Sequence, residues 1–240
     1  MPNILHIETS ENICSVAISK EQNLLASREI SDNHSHASKL GVITNEVMKE
    51  CKISFSDLNA IAVSKGPGSY TGLRIGVSFA KGLCYALNIP LIGISTLEAL
   101  CHGYIHSHLY RKSHLCAEQN IHFCPVIDAR RMEVYSCLID KDGKPCTSVT
   151  AKIIDTGSFH ETLERGPVVF IGSGAHKCQK VIRHDNAFFE PDFLPRAHFL
   201  IPLALKAYSE GHFEDSAYFE PFYLKDFVAT TPKEKVISQV

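Results

Sequence analysis

The stretch 60–87 constrains the fold more than any other part of the chain. Residues 60–64 (Ala-Ile-Ala-Val-Ser) form a short apolar run, which predicts a buried parallel strand. Residues 66–68 (Gly-Pro-Gly) end that strand, because glycine permits positive φ angles and proline donates no ladder hydrogen bond. Ser69 or Thr71 can cap the helix that follows. The sequence therefore predicts a strand, a tight turn and a helix.

The turn at 66–68 raises the question of a phosphate site, because N–H groups at the start of a helix bind anions when glycines let the ligand approach. A P-loop needs the spacing Gly-x4-Gly-Lys-Ser/Thr, which this stretch lacks, and Lys65 precedes the turn. We therefore interpret the turn as a sharp connection between strand and helix.

The predicted helix over 70–87 is apolar around most of its circumference. At about 100° per residue, its polar side chains share one narrow arc: Arg74, Ser78, Lys81 and Tyr85. A stripe of small residues follows i,i+4 spacing: Gly72, Gly76, Ala80 and Cys84. Such a helix needs cover on several sides. Either it lies at the centre of its own domain, or its domain covers one side and a partner covers another, and the sequence leaves both open.

Strands and helices alternate along the rest of the chain. In the first half, apolar patterns predict strands at 4–7, 14–19, 24–30 and 91–94 and helices at 35–51 and 96–104. In the second half, they predict strands at 123–128, 134–139, 149–154 and 168–171 and helices near 157–165, after 174 and at 197–210. This order predicts an α/β fold of two similar halves. We place the halves at 1–108 and 109–240, with the polar, histidine-rich residues 105–121 as a loop or an insertion at the junction.

Composition limits the function classes. The formal charge of −2 argues against tight binding of nucleic acid by this chain without a partner, because such binding needs a concentrated basic surface. The nine cysteines include no Cys-x-x-Cys pair, which indicates reduced, mostly buried thiols. No apolar run approaches the ~18 residues of a membrane span, and no signal peptide is visible. We therefore expect a cytoplasmic protein without a membrane segment.

Residues 65–76, Lys-Gly-Pro-Gly-Ser-Tyr-Thr-Gly-Leu-Arg-Ile-Gly, closely resemble the TsaB (YeaZ) family. Three further segments fit it: 94–97 (Ile-Ser-Thr-Leu), 127–135 (beginning Ile-Asp-Ala-Arg) and 220–224 (Glu-Pro-Phe-Tyr-Leu). The resemblance implies the duplicated actin/Hsp70-like (ASKHA, ribonuclease H-like) fold. It also implies a role in making N6-threonylcarbamoyladenosine (t6A) at position 37 of tRNAs that read codons beginning with A.

The same resemblance implies the partners. In that pathway a paralogous subunit, TsaD, carries the metal and transfers the threonylcarbamoyl group. The TsaB-like protein binds this paralogue through a helical face, and a small ATPase, TsaE, joins them. Contact with tRNA is then indirect, through the complex, and the same helices could also pair two copies of the chain as a homodimer.

The partner-binding residues are expected on the two helices of the first half: Leu40, Ile43, Val47, Gly72, Leu73, Gly76, Val77 and Ala80. The small residues of the second helix suit a close approach by the partner. We expect Gly76→Leu or Val77→Glu to abolish partner binding in a folded chain. If these residues are internal core instead, the same changes unfold it.

The residues also indicate a subunit without catalytic or cofactor-binding residues of its own. Active members of the superfamily hold ATP phosphates in two turns, one after the first strand and a glycine-rich one in the second half. The corresponding segments here are 8–10 (Glu-Thr-Ser) and 128–132 (Asp-Ala-Arg-Arg-Met), and neither contains glycine. Asp128 is expected to pair with an arginine. Residues 172–175 (Gly-Ser-Gly-Ala) resemble a degenerate adenosine-side turn, but an ordinary strand-to-helix turn is the simpler interpretation.

Histidine spacing does not support a metal site. His34 and His36 are two residues apart, so their rings diverge on a helix, whereas the catalytic paralogues use an i,i+4 pair. His102 and His106 have the i,i+4 spacing but lie elsewhere, at a helix end. The remaining set, His114, Cys116, His122 and Cys124, has unfamiliar spacing for zinc. We assign no metal. Two rival interpretations remain: an ATP-dependent phosphotransferase or hydrolase of the same fold, and a metal-dependent glycoprotease-like peptidase.

Overall fold

The computed structural model describes residues 1–31 and 36–224. Within these ranges the strands are β1 (Asn3–Glu8), β2 (Cys14–Lys20), β3 (Asn23–Ile30), β4 (Ala60–Gly66), β5 (Leu91–Ser95), β6 (His122–Asp128), β7 (Glu133–Ser136), β8 (Ile139–Asp140), β9 (Thr150–Ile153), β10 (Val168–Ile171) and β11 (Ala187–Glu190). The helices are α1 (His36–Cys51), α2 (Tyr70–Leu87), α3 (Thr96–Ile105), α4 (His108–Lys112), α5 (His160–Leu163), α6 (Ala175–Val181) and α7 (Ile201–Ser209). No described helix is both long and apolar enough to cross a membrane.

The first half is built on a five-stranded sheet in the order β3-β2-β1-β4-β5. β1, β2 and β3 are antiparallel neighbours, and β4 and β5 continue the sheet in parallel with β1. α1 and α2 pack on one face, around buried side chains such as Val47 and Val77. Leu200, at the end of a 3₁₀ turn, and Ala204 of α7 cover the other face, against Ile4 and Ala62. The predicted antiparallel opening and parallel continuation are confirmed.

The second half repeats this plan in a sheet ordered β11-β10-β6-β7-β9, with β8 also pairing with β6. β6, β10 and β11 are parallel, whereas β7 is antiparallel to both β6 and β9. The predicted single strand 134–139 is wrong. β7 ends at Ser136, and after Cys137 and Leu138 the chain pairs again with β6, at Ile139 opposite Phe123. β11 was not predicted.

Residues 105–121 are not simply a loop, which was one of the two predictions for this segment. α4 and a 3₁₀ turn at His114–Ala117 occupy much of this segment. They bury Tyr110 and Leu115 in the core of the second half, where the Tyr110 ring meets the Phe123 ring edge-on at 5.2 Å. Two apolar anchors among polar neighbours are therefore enough to fix the segment on the core.

Two elements join the halves. α3 leaves the end of β5 and packs against β6 and β10 of the second sheet, and the fully buried Tyr104 donates a hydrogen bond to Glu190 Oε1 at 3.2 Å. The chain then returns to the first sheet, where the Ala197 amide donates to Ser15 Oγ at 2.8 Å. The division into 1–108 and 109–240 stays a prediction.

Candidate functional site

The turn that follows β1 lies against the first two turns of α2. Thr9 Oγ1 donates to the Gly72 carbonyl at 2.8 Å, and the Ser69 amide donates to the Ser10 carbonyl at 2.6 Å. A Cβ atom at Gly72 would lie 2.1 Å from Thr9 O, and one at Gly76 would lie 2.2 Å from Thr9 Oγ1. Gly72 and Gly76 of α2 are therefore required by the close approach of the turn after β1.

Glu8 ends β1 with a fully buried carboxyl group. Its Oε1 accepts hydrogen bonds from the Ser10 amide at 2.6 Å and from Ser64 Oγ at 2.9 Å. Burial raises the pKa of Glu8, although the hydrogen bonds from Ser10 and Ser64 oppose that shift. The turn after the first strand thus holds a carboxyl group of its own where a phosphate-binding turn would offer free amides.

Glu11 links the turn after β1 to the second half of the chain. Ser173 Oγ donates to Glu11 Oε1, and the Asp128 amide donates to Ser173 Oγ at 3.1 Å. Burial raises the pKa of Glu11 to about 7, with the hydrogen bond from Ser173 opposing the shift and the carboxylates of Glu8 and Asp128 adding to it. Residues from the turns of both halves therefore meet at one point, which the sequence analysis missed.

Asp128 is paired, but not with the arginine that the sequence predicts. Lys177 Nζ lies 2.6 Å from Asp128 Oδ1, and it also donates to the Glu133 carbonyl at 3.1 Å. The Arg130 backbone amide donates to the same Asp128 oxygen at 2.6 Å. The turn needs left-handed φ angles of 66° and 47° at Arg130 and Arg131. Glycine would adopt these angles with less backbone strain than arginine does.

These contacts define what the two turns can do chemically. An amide that binds phosphate must be free to point at the ligand. The Ser10 amide bonds to Glu8 and the Arg130 amide bonds to Asp128, so each is already occupied by a carboxylate of its own turn. A phosphate placed there would also face the carboxyl groups of Glu8, Glu11 and Asp128, which disfavours a second anion.

The structure places all eight predicted partner-binding residues inside the chain. Each is buried: Leu40, Ile43, Val47, Gly72, Leu73, Gly76, Val77 and Ala80. The close approach that the small residues predict is made by Thr9 of the same chain. Their role in binding a partner stays a prediction, and five of them belong to the hydrophobic core of the first half: Leu40, Ile43, Val47, Val77 and Ala80.

The two helices also carry apolar residues that are not fully buried, which we call the outer helical face: Val42, Gly82 and Ala86 are exposed, and Ile75 and Phe79 are half-buried against the core of the first half. Val42 is 48% exposed, and nothing lies within 4 Å of the position that a Cβ atom would take at Gly82. The predicted polar arc borders this face, with Tyr85 at 89% exposure. α2 therefore has an inner apolar side and a separate outer one.

The histidine and cysteine candidates are placed as follows. His34 lies outside the described residues. The His102 and His106 rings stack at 4.2 Å, and no third ligand joins them among the residues described. The set of His114, Cys116, His122 and Cys124 does not come together as a metal-ligand group in the described ranges.

The structure instead brings together His160, Glu164 and His184, with ligand atoms within 4.8 Å of one another. The i,i+4 spacing of the first two is visible in the sequence, whereas His184 is distant in it. The Asn186 amide donates to His184 Nδ1 at 3.1 Å. That bond leaves the ring proton on Nε2, the atom that faces Glu164, so this tautomer offers no lone pair to a metal there.

Comparison with known proteins agrees with this architecture. A family model described as TsaD, tRNA N6-adenosine threonylcarbamoyltransferase, matches residues 23–233. The tRNA threonylcarbamoyladenosine biosynthesis protein TsaB of Escherichia coli K12 is 28% identical over 232 residues, which is 94% of this chain and 96% of its own. TsaB of Bacillus subtilis 168 is 32% identical over 176 residues, 70% of each chain. The solved structure of YeaZ from Pseudomonas aeruginosa matches with a TM-score of 0.78 at 26% identity, over 93% of this chain and 100% of that one.

Fold and family match together define a TsaD-like protein with the duplicated actin/Hsp70-like fold, as the sequence predicts. Within that class, the chain belongs to the TsaB (YeaZ) family.

Proposed function

We propose that this protein is a non-catalytic subunit in the biosynthesis of threonylcarbamoyladenosine in tRNA, where it binds and supports a catalytic TsaD-like paralogue. The observation that carries the proposal is the occupation of the Ser10 and Arg130 amides by Glu8 and Asp128. The fold of an ATP-binding protein is retained, but its two phosphate turns are filled by the chain's own carboxylates. No observation favours the phosphotransferase or the peptidase in a comparable way.

The outer helical face is the proposed docking surface for the paralogue. Val42, Ile75 and Phe79 offer apolar contact area, and Gly82 lets a second helix approach. The eight buried residues act beneath this surface by fixing α1 and α2 on the sheet. The paralogue shares the TsaD-type fold that the family model describes, so a pair of equivalent helices from it would complete a helix bundle.

The other proposed contacts are those with a second copy of the chain, with a TsaE-like ATPase and with tRNA. Two copies of the chain can pair through the outer helical face as a homodimer when the paralogue is absent, and a TsaE-like ATPase joins the complex of the two subunits. tRNA is held mainly by the other subunits. We place the function in the cytoplasm, where the nine unpaired cysteines of the chain would remain reduced.

Reconstitution tests the function directly. Purified TsaD-like and TsaE-like subunits are incubated with tRNA, ATP and the threonylcarbamoyl precursors, with and without this chain, and t6A is measured in the digested tRNA. We expect modification to require the chain, and we expect an Asp128→Asn variant to support it as the wild type does. Equal t6A without the chain, or loss of t6A with Asp128→Asn in a folded variant, would argue against a non-catalytic supporting role.

A further inference from the structure

A pocket of about 710 Å³ lies at the edge of the first sheet opposite to Glu8. It is formed by the end of α3, the residues 193–202 and the turn between β2 and β3. That turn adjoins the start of β1, because Asn3 pairs with Lys20. The volume lies within the range of pockets that hold small molecules, roughly 300–1,000 Å³. Its lining includes no residue of the outer helical face or of the two glycine-free turns at 8–10 and 128–132.

Two pairs of stacked rings dominate the lining. The rings of His102 and His106 are 4.2 Å apart with an interplanar angle of 14°, and those of Phe193 and Phe199 are 5.1 Å apart at 8°. Gly103 makes room for this arrangement, because a Cβ atom there would lie 2.4 Å from Phe199 Cγ. Flat aromatic surfaces of this kind favour a planar ligand that can stack on them.

Arg196 supplies a fixed cation at the same pocket. Its Nε donates to Glu29 Oε2 at 2.9 Å and its Nη1 to the Leu194 carbonyl at 3.4 Å, while Nη2 has no partner among the described residues. No carboxylate is among the lining residues, although the ion pair with Glu29 offsets part of the charge of Arg196. Burial lowers the pKa of His102 to about 4, with His106 adding to the shift, so this imidazole is neutral at pH 7.

From this geometry we propose that the pocket binds a nucleotide, with the base stacked on the histidine and phenylalanine rings and the phosphate at Arg196. A planar heterocycle matches the ring surfaces, and a phosphate matches the donors that a guanidinium presents. A free nucleotide and an unstacked nucleotide of single-stranded RNA share this chemistry. The site is additional to the proposed docking function and uses none of its residues.

Isothermal titration of the full chain with adenosine 5′-monophosphate at pH 7 tests the proposal. We expect saturable binding with a Kd on the order of 0.1 mM, which is modest for a ligand of this size. Arg196→Gln should weaken binding of the nucleotide about 10-fold and leave binding of uncharged adenosine unchanged. His106→Ala should weaken both ligands by about 3–10-fold, because it removes one stacking surface.

Matched controls come from the second half. Arg183→Gln removes an exposed arginine whose described partners are the carbonyls of Gln179 and Lys180, and His176→Ala removes an exposed histidine. Both should bind the nucleotide as the wild type does. The proposal is overturned if the nucleotide gives no saturable binding, or if the control variants lose as much affinity as Arg196→Gln and His106→Ala.

A second arm distinguishes the two sources of nucleotide. Single-stranded hexa-adenylate that binds more tightly than the mononucleotide, and is weakened by the same variants, assigns the site to RNA. Equal or weaker binding of the hexamer assigns it to a free nucleotide. Capture of the TsaD-like subunit by Arg196→Gln and His106→Ala should stay at the wild-type level, which separates failure of this site from failure of the docking proposal.

Discussion

Thr9 Oγ1 donates a 2.8 Å hydrogen bond to the carbonyl of Gly72, a residue 63 positions further along the chain. This contact ties the turn after the first strand to the start of α2. One turn later, the Thr9 side chain fills the space above Gly76. Gly72 and Gly76 therefore face the interior, so under the proposed function the partner contacts the other side of the helix.

Gly76→Ala should destabilise the chain, because its new Cβ atom would meet Thr9 Oγ1 at 2.2 Å. Overpacking of this kind typically costs about 1–3 kcal/mol. Thr9→Ala in the same chain should recover part of that loss, which a double-mutant cycle in urea would measure. An unfolding midpoint for Gly76→Ala equal to that of the wild type would contradict the packing described here.

Gly82→Ala is the matched control for that experiment, since nothing lies within 4 Å of its added Cβ atom. It should leave the stability unchanged or raise it by up to about 1 kcal/mol, the usual gain when alanine replaces glycine within a helix. Larger changes at the inner side, Gly76→Leu and Val77→Glu, should now unfold the chain, which differs from the outcome that the sequence predicts.

Glu11 should make stability fall as pH rises. Its pKa is raised from 4.5 to about 7 in the folded chain, so the folded state holds a proton that the unfolded state releases. The stabilisation is complete below pH ~4.5 and is lost as pH rises to ~7, with a total on the order of 1–3 kcal/mol.

Glu11→Gln mimics the protonated form and removes this dependence. The variant should match the wild type near pH 5 and exceed its stability at pH 8, as measured by urea unfolding at each pH. Comparison at equal pH cancels other groups such as His6, whose pKa is lowered to about 3 by burial, with His198 adding to the shift. A stability difference that does not change between pH 5 and 8 would show that Glu11 keeps an ordinary pKa.

The isolated chain should not hydrolyse ATP, because neither turn contains glycine and the Ser10 and Arg130 amides already bond to Glu8 and Asp128. Release of phosphate from Mg-ATP, measured beside titration calorimetry, checks this. Micromolar binding with turnover that disappears in Asp128→Asn would favour the rival interpretation as a phosphotransferase or hydrolase.

Weak tRNA binding by the chain alone is a further expectation, since its formal charge is −2. Electrophoretic shifts at ~0.15 M salt should show little complex, because salt at this level already screens isolated phosphate contacts. A specific submicromolar shift with the chain alone would mean that it carries its own tRNA surface.

The sequence predicts most of the secondary structure, because periodic apolar patterns are local. The sequence prediction failed where a few residues determine the local structure. Tyr110 and Leu115 pack into the core and hold a segment whose other residues are mostly polar. The strand Ala187–Glu190 is four residues long and half-buried throughout, so it leaves no alternating pattern.

The candidate site was less predictable, since it depends on contacts between distant positions. Glu11 and Ser173 are 162 residues apart, and no local spacing links them. The sequence shows that α2 is apolar on several sides, but only the position of Thr9 decides which side is internal. The sequence shows that the two turns lack glycine. The structure is needed to show that Glu8 and Asp128 accept hydrogen bonds from the backbone amides of these turns.

Capture of a purified TsaD-like subunit by Gly82→Arg tests the central claim most directly, with Gln179→Arg on α6 as the control for an added charge. Arginine is a better helix former than glycine, so Gly82→Arg should melt at or above the wild-type temperature. A cation in the apolar outer helical face should weaken partner binding by at least about 10-fold, because a desolvated, unpaired charge is costly. Gln179→Arg should bind normally. Wild-type affinity in a folded Gly82→Arg chain would contradict docking through this face.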